Sequence, residues 1–256
     1  VTTLSIKATR PQAEFLALKC PYKAFVAGFG SGKTEAICQN SIIEIHHGPI
    51  QNCILAPTFR MLRAVLFPRM QEYLHSKGIA FTSTATSPMQ ITTTNPNLGN
   101  ITFLSLEDPN KIRSYEFYRI HIDEFDTLPP HKAEEAWNLL IGRCRQTLDS
   151  YSVNDASNQV SVYTTPEGFG FTYQRWVTNA NKDYQMVQAS SYSNPHLPSA
   201  YIENIKNTYP EQLARAYIYG EFVNLTSGTV YRSYNREACD SIETVKDREP
   251  IFVGMD

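Results

Sequence analysis

The chain has no apolar run long enough to span a bilayer, no surplus of either charge and no closely spaced cysteine pair. The first absence excludes a helical membrane span. The opening stretch VTTLSIKATRPQ also lacks the apolar core of a signal peptide, so the expectation is a soluble intracellular protein that is not secreted. With 23 Lys and Arg against 25 Asp and Glu, the formal charge is -2. That balance excludes a general basic coat for nucleic acid but leaves room for a local basic strip. Cys20, Cys38, Cys53, Cys144 and Cys239 are odd in number and form no C-x-x-C motif. They read as reduced, small apolar residues, not as a zinc or redox site.

What is present is a globular pattern: 256 residues, 42% hydrophobic and 19% charged, enough to bury a full core. Apolar clusters bounded by turn residues alternate with segments of helical period, the pattern of a parallel sheet covered by helices. The expected strands cover 23–28, 52–57, 100–106, 118–123, 159–165 and 185–190. Helices are expected over 34–47, over 59–77 with Thr58 as N-cap, and over 132–145, entered through Pro129 and Pro130. QITTTNPNLGNITFLSL reads as a hairpin around an Asn/Pro/Gly turn. Beyond Pro166 short segments rich in Tyr and Asn suggest a small helical subdomain over the sheet edge.

In AGFGSGKT (27–34) a strand ends, the chain turns on Gly28, Gly30 and Gly32, and Lys33 and Thr34 open a helix. Such a loop can turn its N–H groups onto phosphate oxygens, Lys33 can reach the β and γ phosphates, and the Thr34 hydroxyl can ligate Mg²⁺. The Walker A pattern begins with Gly where this chain has Ala27, so only the relaxed form is met. FYRIHIDEFD places Asp123 and Glu124 at the carboxyl end of a strand, where open α/β sheets bind ligands. Asp123 can hold Mg²⁺ through its water shell and Glu124 can take a proton from an attacking water. The bland reading is an acidic strand-to-helix loop. VSVYTTPEG ends a strand in Thr164 and Thr165, hydroxyls that can sense a γ phosphate or that simply begin a turn. Gln12 can serve the adenine edge through its amide, or close a capping box with Thr9, or both.

In this order RPQAEFL, AGFGSGKT, LAPTFRMLR, IDEFD and YTTPEG resemble the ATPase half of the large terminase subunit of tailed bacteriophages. TTPEGFGFTYQRW, SSYSNPHLP, AYIYGEFV and GTVY resemble the part that follows the sensor motif, forms the lid and leads toward a nuclease. The resemblance implies a RecA-like (ASCE) α/β ATPase with a central, mostly parallel sheet flanked by helices and a small helical lid. It implies a core over 1–168, a lid over 169–226, and over 227–256 a linker with the first strand of an RNase H-like nuclease.

On this resemblance Gln12 is the adenine-motif glutamine. Ala27, Gly28, Phe29, Gly30, Ser31, Gly32, Lys33 and Thr34 form the phosphate loop, Asp123 and Glu124 are metal carboxylate and general base, and Thr164 and Thr165 are the coupling motif. Asp256, in PIFVGMD, is the first nuclease carboxylate, and alone it is expected to give no nuclease activity.

The cofactors implied are ATP and Mg²⁺. The partners implied are double-stranded DNA, the portal protein, the small terminase subunit and further copies in a ring, with a monomer allowed for the isolated chain. The setting is the host cytoplasm during virus assembly. One departure stands out: Phe29 occupies a position where some terminases carry an arginine. The cation for the transition state is therefore sought in Arg113, supplied to a neighbour, with Arg143 and Arg145 as alternates. Arg60, Arg63, Arg69, Lys77, Lys111 and Arg119 can line a DNA channel or be solvated helix faces. A superfamily 2 helicase core and a nucleotide-gated assembly module without turnover are the competing functions.

Overall fold

Short apolar runs, broken by Gly, Pro and Asn, become an eight-stranded sheet in the computed structural model, which describes residues 4–147 and 158–225. The chain begins with α1 (Arg10–Leu16), β1 (Tyr22–Ala27), α2 (Lys33–Ile45) and β2 (Gln51–Ala56). A single helical path follows as α3 (Phe59–Met61), a π-helical stretch (Leu62–Leu66) and α4 (Phe67–Ser76). Next come β3 (Phe81–Thr84), β4 (Met89–Thr93), β5 (Asn100–Ser105), the 3₁₀ turn Pro109–Ser114, β6 (Arg119–Asp123) and α5 (Pro130–Arg143). The remainder is β7 (Gln159–Thr164), α6 (Phe171–Tyr173) with a second π stretch (Gln174–Thr178), β8 (Tyr184–Ala189), α7 (Ser199–Thr208) and α8 (Glu211–Tyr219).

The strand order is β3-β4-β5-β2-β6-β7-β1-β8. All pairings are parallel except β3 with β4 and β4 with β5. The expected strands and the 90–106 hairpin are present within a residue or two. β3 escapes the sequence pattern, because its FTST is mostly exposed and carries no apolar alternation. The expected helix over 59–77 is interrupted by its π stretch, while the Thr58 hydroxyl does accept from the Met61 N–H. The region after Pro166 supplies β8 to the sheet edge as well as helices.

Because successive side chains of a strand face opposite sides, the central strands feed two cores. Phe25, Ala27, Ile54, Ala56 and Phe103 pack with α2 and α4 residues Ile37, Ile42, Met70 and Leu74. Ala24, Val26, Leu55, Ile120, Ile122 and Val162 pack with Trp137 and Leu140 of α5. A third, smaller cluster joins Ile202 and Ile205 of α7 to Ala214 and Ile218 of α8, with Phe29 and Leu197 against it. Cys20, Cys38, Cys53 and Cys144 are buried free thiols, and Cys239 lies outside the described residues. Among the described residues no helix is long and apolar enough to cross a membrane.

α2 is buried nearly all round, and its polar residues meet partners on three strands. Glu44 accepts from His121 Nε2 at 2.7 Å, and its other oxygen lies 3.7 Å from Arg119 Nε. Asn40 Nδ2 donates to the Tyr163 hydroxyl at 3.1 Å, which also lies 3.2 Å from His121 Nδ1, and Lys23 Nζ reaches Asn40 Oδ1 at 3.4 Å. Arg119, a candidate for a DNA channel on sequence grounds, is therefore an interior residue, placed there because β6 is central and the carboxylate of α2 meets it.

Burial alone would raise the Glu44 carboxyl, but His121, Arg119 and Lys23 outweigh it and hold it below its ordinary value. A depressed folded-state pKa adds stability above the unfolded carboxylate value that is lost as pH falls through the folded one. Glu44→Ala is expected to cost about 3–5 kcal/mol in urea unfolding at pH 7, because cationic side chains stay in the interior without their carboxylate. The gap to wild type should narrow as pH is lowered below the ordinary carboxylate range; a pH-independent gap would contradict the assignment.

Candidate nucleotide site

The site is built where β1 ends. Gly30 and Gly32 adopt φ of +67° and +93°, and Gly32 caps the start of α2 in a left-handed conformation. Only glycine adopts such angles freely, so the loop can reverse direction and deliver the first N–H groups of α2, which have no intrahelical acceptor. Gly28 is needed for another reason. A Cβ there would lie 2.5 Å from the Ile218 carbonyl oxygen and 2.6 Å from that of Tyr217.

The outer side of the loop is tied to the chain around α8. Gly28 N donates to the Ala189 carbonyl at 3.1 Å and Phe29 N to that of Tyr217 at 2.6 Å. The Ser191 hydroxyl donates to the Phe29 carbonyl and Asn194 Nδ2 to the Gly30 carbonyl, both at 2.7 Å. The Phe29 ring stacks on Tyr217 with centroids 4.3 Å apart. Ser31 closes the loop on itself by donating its hydroxyl to the Gly28 carbonyl at 2.7 Å.

On the inner side Lys33 is the hub. Its side chain is 8% exposed. Nζ donates to Thr165 Oγ1 at 2.7 Å, lies 3.3 Å from the Ala27 and Gly28 carbonyls, and is 3.5 Å from Glu124 Oε1. Glu124 Oε2 accepts from Thr165 N at 3.3 Å, and its own N–H donates to the Tyr163 carbonyl at 2.7 Å. Among the described residues Glu124 is the one non-glycine at positive φ, +48°. Backbone strain of this kind persists where surrounding contacts over-determine it, commonly at functional sites.

The two threonines divide their work. Thr165 touches Lys33 and Glu124, whereas the Thr164 hydroxyl accepts from Asp126 N at 3.1 Å and ties β7 to the turn after Glu124.

Asp123 is buried at the end of β6, and its Oδ1 has no hydrogen-bond partner. Burial, reinforced by the Glu124 charge and opposed by Lys33, pushes its carboxyl up to about 7. A buried oxygen with no partner fits a cation, and the Thr34 hydroxyl stands at the head of α2, next to the lysine that reaches Glu124. Among the described residues no three His, Cys, Asp or Glu side chains form a ready cage. That donor set suits Mg²⁺, which takes one or two carboxylates and completes its shell with water and phosphate.

Asp126 is a further acid that the motif pattern does not single out. Its Oδ1 accepts from Thr172 N at 3.1 Å, and burial lifts its carboxyl to about 6.

Gln12 reaches the same loop from α1, donating Nε2 to the Gly32 carbonyl at 3.0 Å. Arg113 sits exposed on the 3₁₀ turn Pro109–Ser114, where its carbonyl accepts from Arg143 Nη1 at 3.2 Å. Arg145 lies 3.9 Å from Glu116. None of these three arginines shares the contacts that join Lys33, Glu124 and Thr165. Asp256 lies outside the described residues.

A glycine loop between β1 and α2, with paired acids ending β6 beside it, defines a RecA-like α/β protein of the P-loop class. The profile described as "Terminase large subunit, T4likevirus-type, N-terminal" matches residues 24–237, and the chain belongs to that family. A comparison with curated proteins gave no match.

Among solved structures, the large terminase of a thermophilic bacteriophage aligns with a TM-score of 0.68 at 16% identity, covering 90% of this chain and 57% of that one. The chain thus spans little more than half the length of that terminase. The ATPase domain of the Thermus phage P74-26 large terminase aligns at 0.63 and 16% identity, covering 85% and 94%. The first of these terminases, in complex with ATP-gamma-S, aligns at 0.65 and 16% identity, covering 84% and 53%. At these identities the structural likeness carries the fold.

Gly28→Ala is expected to push α8 off the loop and to cost about 1–3 kcal/mol in thermal or urea unfolding. Gly142, near the end of α5, is the control, because a Cβ there would have nothing within 4 Å of it. Alanine at that position should be neutral or stabilising by up to about 1 kcal/mol. Equal effects at the two positions would remove the close-approach argument.

Proposed function

We propose that the chain is an ATP-hydrolysing domain that binds ATP with Mg²⁺ and uses hydrolysis to move double-stranded viral DNA into a procapsid. The observation that carries this reading is the meeting of Lys33, Thr165 and Glu124 at the mouth of the glycine loop, with the partnerless oxygen of Asp123 alongside. The loop N–H groups and Lys33 would hold the phosphates, and Thr34 and Asp123 would hold the metal. When bound, Mg²⁺ supplies positive charge where the transferring phosphoryl group gathers negative charge.

Glu124 is the group that makes the site hydrolytic. Its carboxylate can orient water and accept its proton, a role a pure nucleotide switch does not need. The strained backbone and the Thr165 N–H hold its carboxylate at the loop's mouth. Thr165 contacts both the phosphate lysine and the base, so it is placed to report on the phosphate to β7.

In this reading 1–168 is the catalytic core, 169–226 a lid that grips the loop, and 227–256 leads toward a nuclease. Function is exercised in a ring on the portal in the host cytoplasm, with the small terminase subunit as a further partner. Arg113, remote from its own loop, would complete the site of the neighbouring copy.

Glu124→Gln is expected to keep ATP affinity within a few-fold and to lower steady-state hydrolysis by about 10²–10⁴. Unchanged turnover would remove Glu124 as base, and no turnover in wild type with DNA and portal present would defeat the motor reading in favour of an assembly module. Arg113→Ala is expected to leave nucleotide binding intact and to lower the rate of the assembled protein by about 10³ or more. Wild-type specific activity should then rise steeply with protein concentration. Equal rates for variant and wild type under assembling conditions would return Arg113 to the surface.

A further inference from the structure

The strained backbone at Glu124 leads into a 3₁₀ turn, Phe125–Thr127. Within the turn the Thr127 hydroxyl donates to the Glu124 carbonyl at 2.7 Å, and Asp126 N is held by the Thr164 hydroxyl of β7. The Asp126 side chain reaches further. Its Oδ1 accepts from Thr172 N at 3.1 Å, at the head of α6, and beside that bond the Phe125 ring meets Phe171 edge-on with centroids 5.2 Å apart.

The two acids of the turn thus hold the two ends of one loop. Thr165 N, where the chain leaves β7, donates to Glu124 Oε2, and Thr172 N, where it enters α6, donates to Asp126 Oδ1. Stability does not explain the second acid. Asp126 is 9% exposed, its side chain is met by a neutral backbone N–H, and the charges that act on it, Glu167 and Glu124, are of its own sign. Burying a carboxylate without a cation costs free energy. What the arrangement supplies is position, because a short side chain is fixed at its own backbone N–H and again at its carboxylate.

From this geometry we infer that Asp126 is a positioning residue for Glu124: by tying the turn to the head of α6 it sets where the Glu124 carboxylate stands at the mouth of the glycine loop. The inference rests on the hydrolytic reading of the site. The partners of Asp126, Thr164 and Thr172, lie outside residues 27–34, so its loss should reach the rate and spare the affinity for nucleotide.

The test compares Asp126→Ala, Asp126→Asn and Asp126→Glu as the assembled protein with DNA and portal. Steady-state ATP hydrolysis is expressed per ATP-binding site counted by calorimetry, so that any misfolded fraction drops out. Asp126→Ala is expected to keep the ATP Kd within about threefold and to lower kcat by about 10–100-fold, the scale of a misplaced catalytic group. Asp126→Asn keeps an oxygen to accept from Thr172 N and should recover kcat to within about threefold of wild type. Asp126→Glu keeps the charge but carries its acceptor one methylene further out, so it should be at least about tenfold slower than the asparagine variant. That pair decides the matter if the alanine variant fails to fold, and equal rates for the two overturn the inference. So do an asparagine variant as slow as alanine, an alanine variant at the wild-type kcat, and a loss of ATP affinity in step with the rate. Wild type that binds ATP without hydrolysing it would instead overturn the hydrolytic reading, and the role of Asp126 with it.

Discussion

The grip of the sheet on α2 is the constraint from which the rest of the site follows. The head of this helix carries Lys33 and Thr34, and its body carries Asn40 and Glu44, held by Tyr163 of β7 and by His121 and Arg119 of β6. Those strands end in Thr164 and in Asp123. Contacts that fix the helix therefore also fix the spacing between the loop and the acids at the sheet edge. Polar contacts in an interior are directional in a way that packed Ile and Leu are not, which suits them to hold one register of helix against strand. The cost is visible in Lys23, whose ammonium is pushed down to about 8 by its burial.

A second constraint acts from the opposite side. The outward carbonyls and N–H groups of residues 28–30 are bonded to the chain between Ala189 and Tyr217, which ties the loop to that segment. Phe29 adds a ring stacked on Tyr217 and packs against the small α7–α8 core. An aromatic pair of this kind contributes roughly 0.5–1.5 kcal/mol beyond the area it buries, so the stacked ring reinforces the hydrogen bonds that tie the loop to that segment.

Much of this was legible in sequence, for definable reasons. The parallel strands are buried on both faces and so read as continuous apolar runs, and the glycine loop, Asp123, Glu124 and Thr165 follow from chemistry within a few residues. β3 was hidden because an exposed edge strand has no core-facing pattern to display. The π stretch at Leu62–Leu66 was hidden because an inserted backbone residue leaves no compositional mark. Ser191 and Asn194 reach the loop across 162 and 164 residues of chain, and only the tertiary fold brings them there. The same holds for Gln12, whose type and capping position were readable while its bond to the Gly32 carbonyl was not.

Lys33 shows why these contacts act together. An ammonium has three N–H groups, and here four oxygens surround it: two loop carbonyls, the Thr165 hydroxyl and the Glu124 carboxylate. In the proposed reading, a phosphate that draws Lys33 toward the loop N–H groups would also separate it from Glu124 and Thr165. With Phe29 carrying no charge, Lys33 is the cation that the loop itself would bring to a phosphate. In that reading phosphate engagement and release of the Glu124 carboxylate would be one movement of one side chain, with Thr165 at the end of β7 as the contact through which the sheet would feel it.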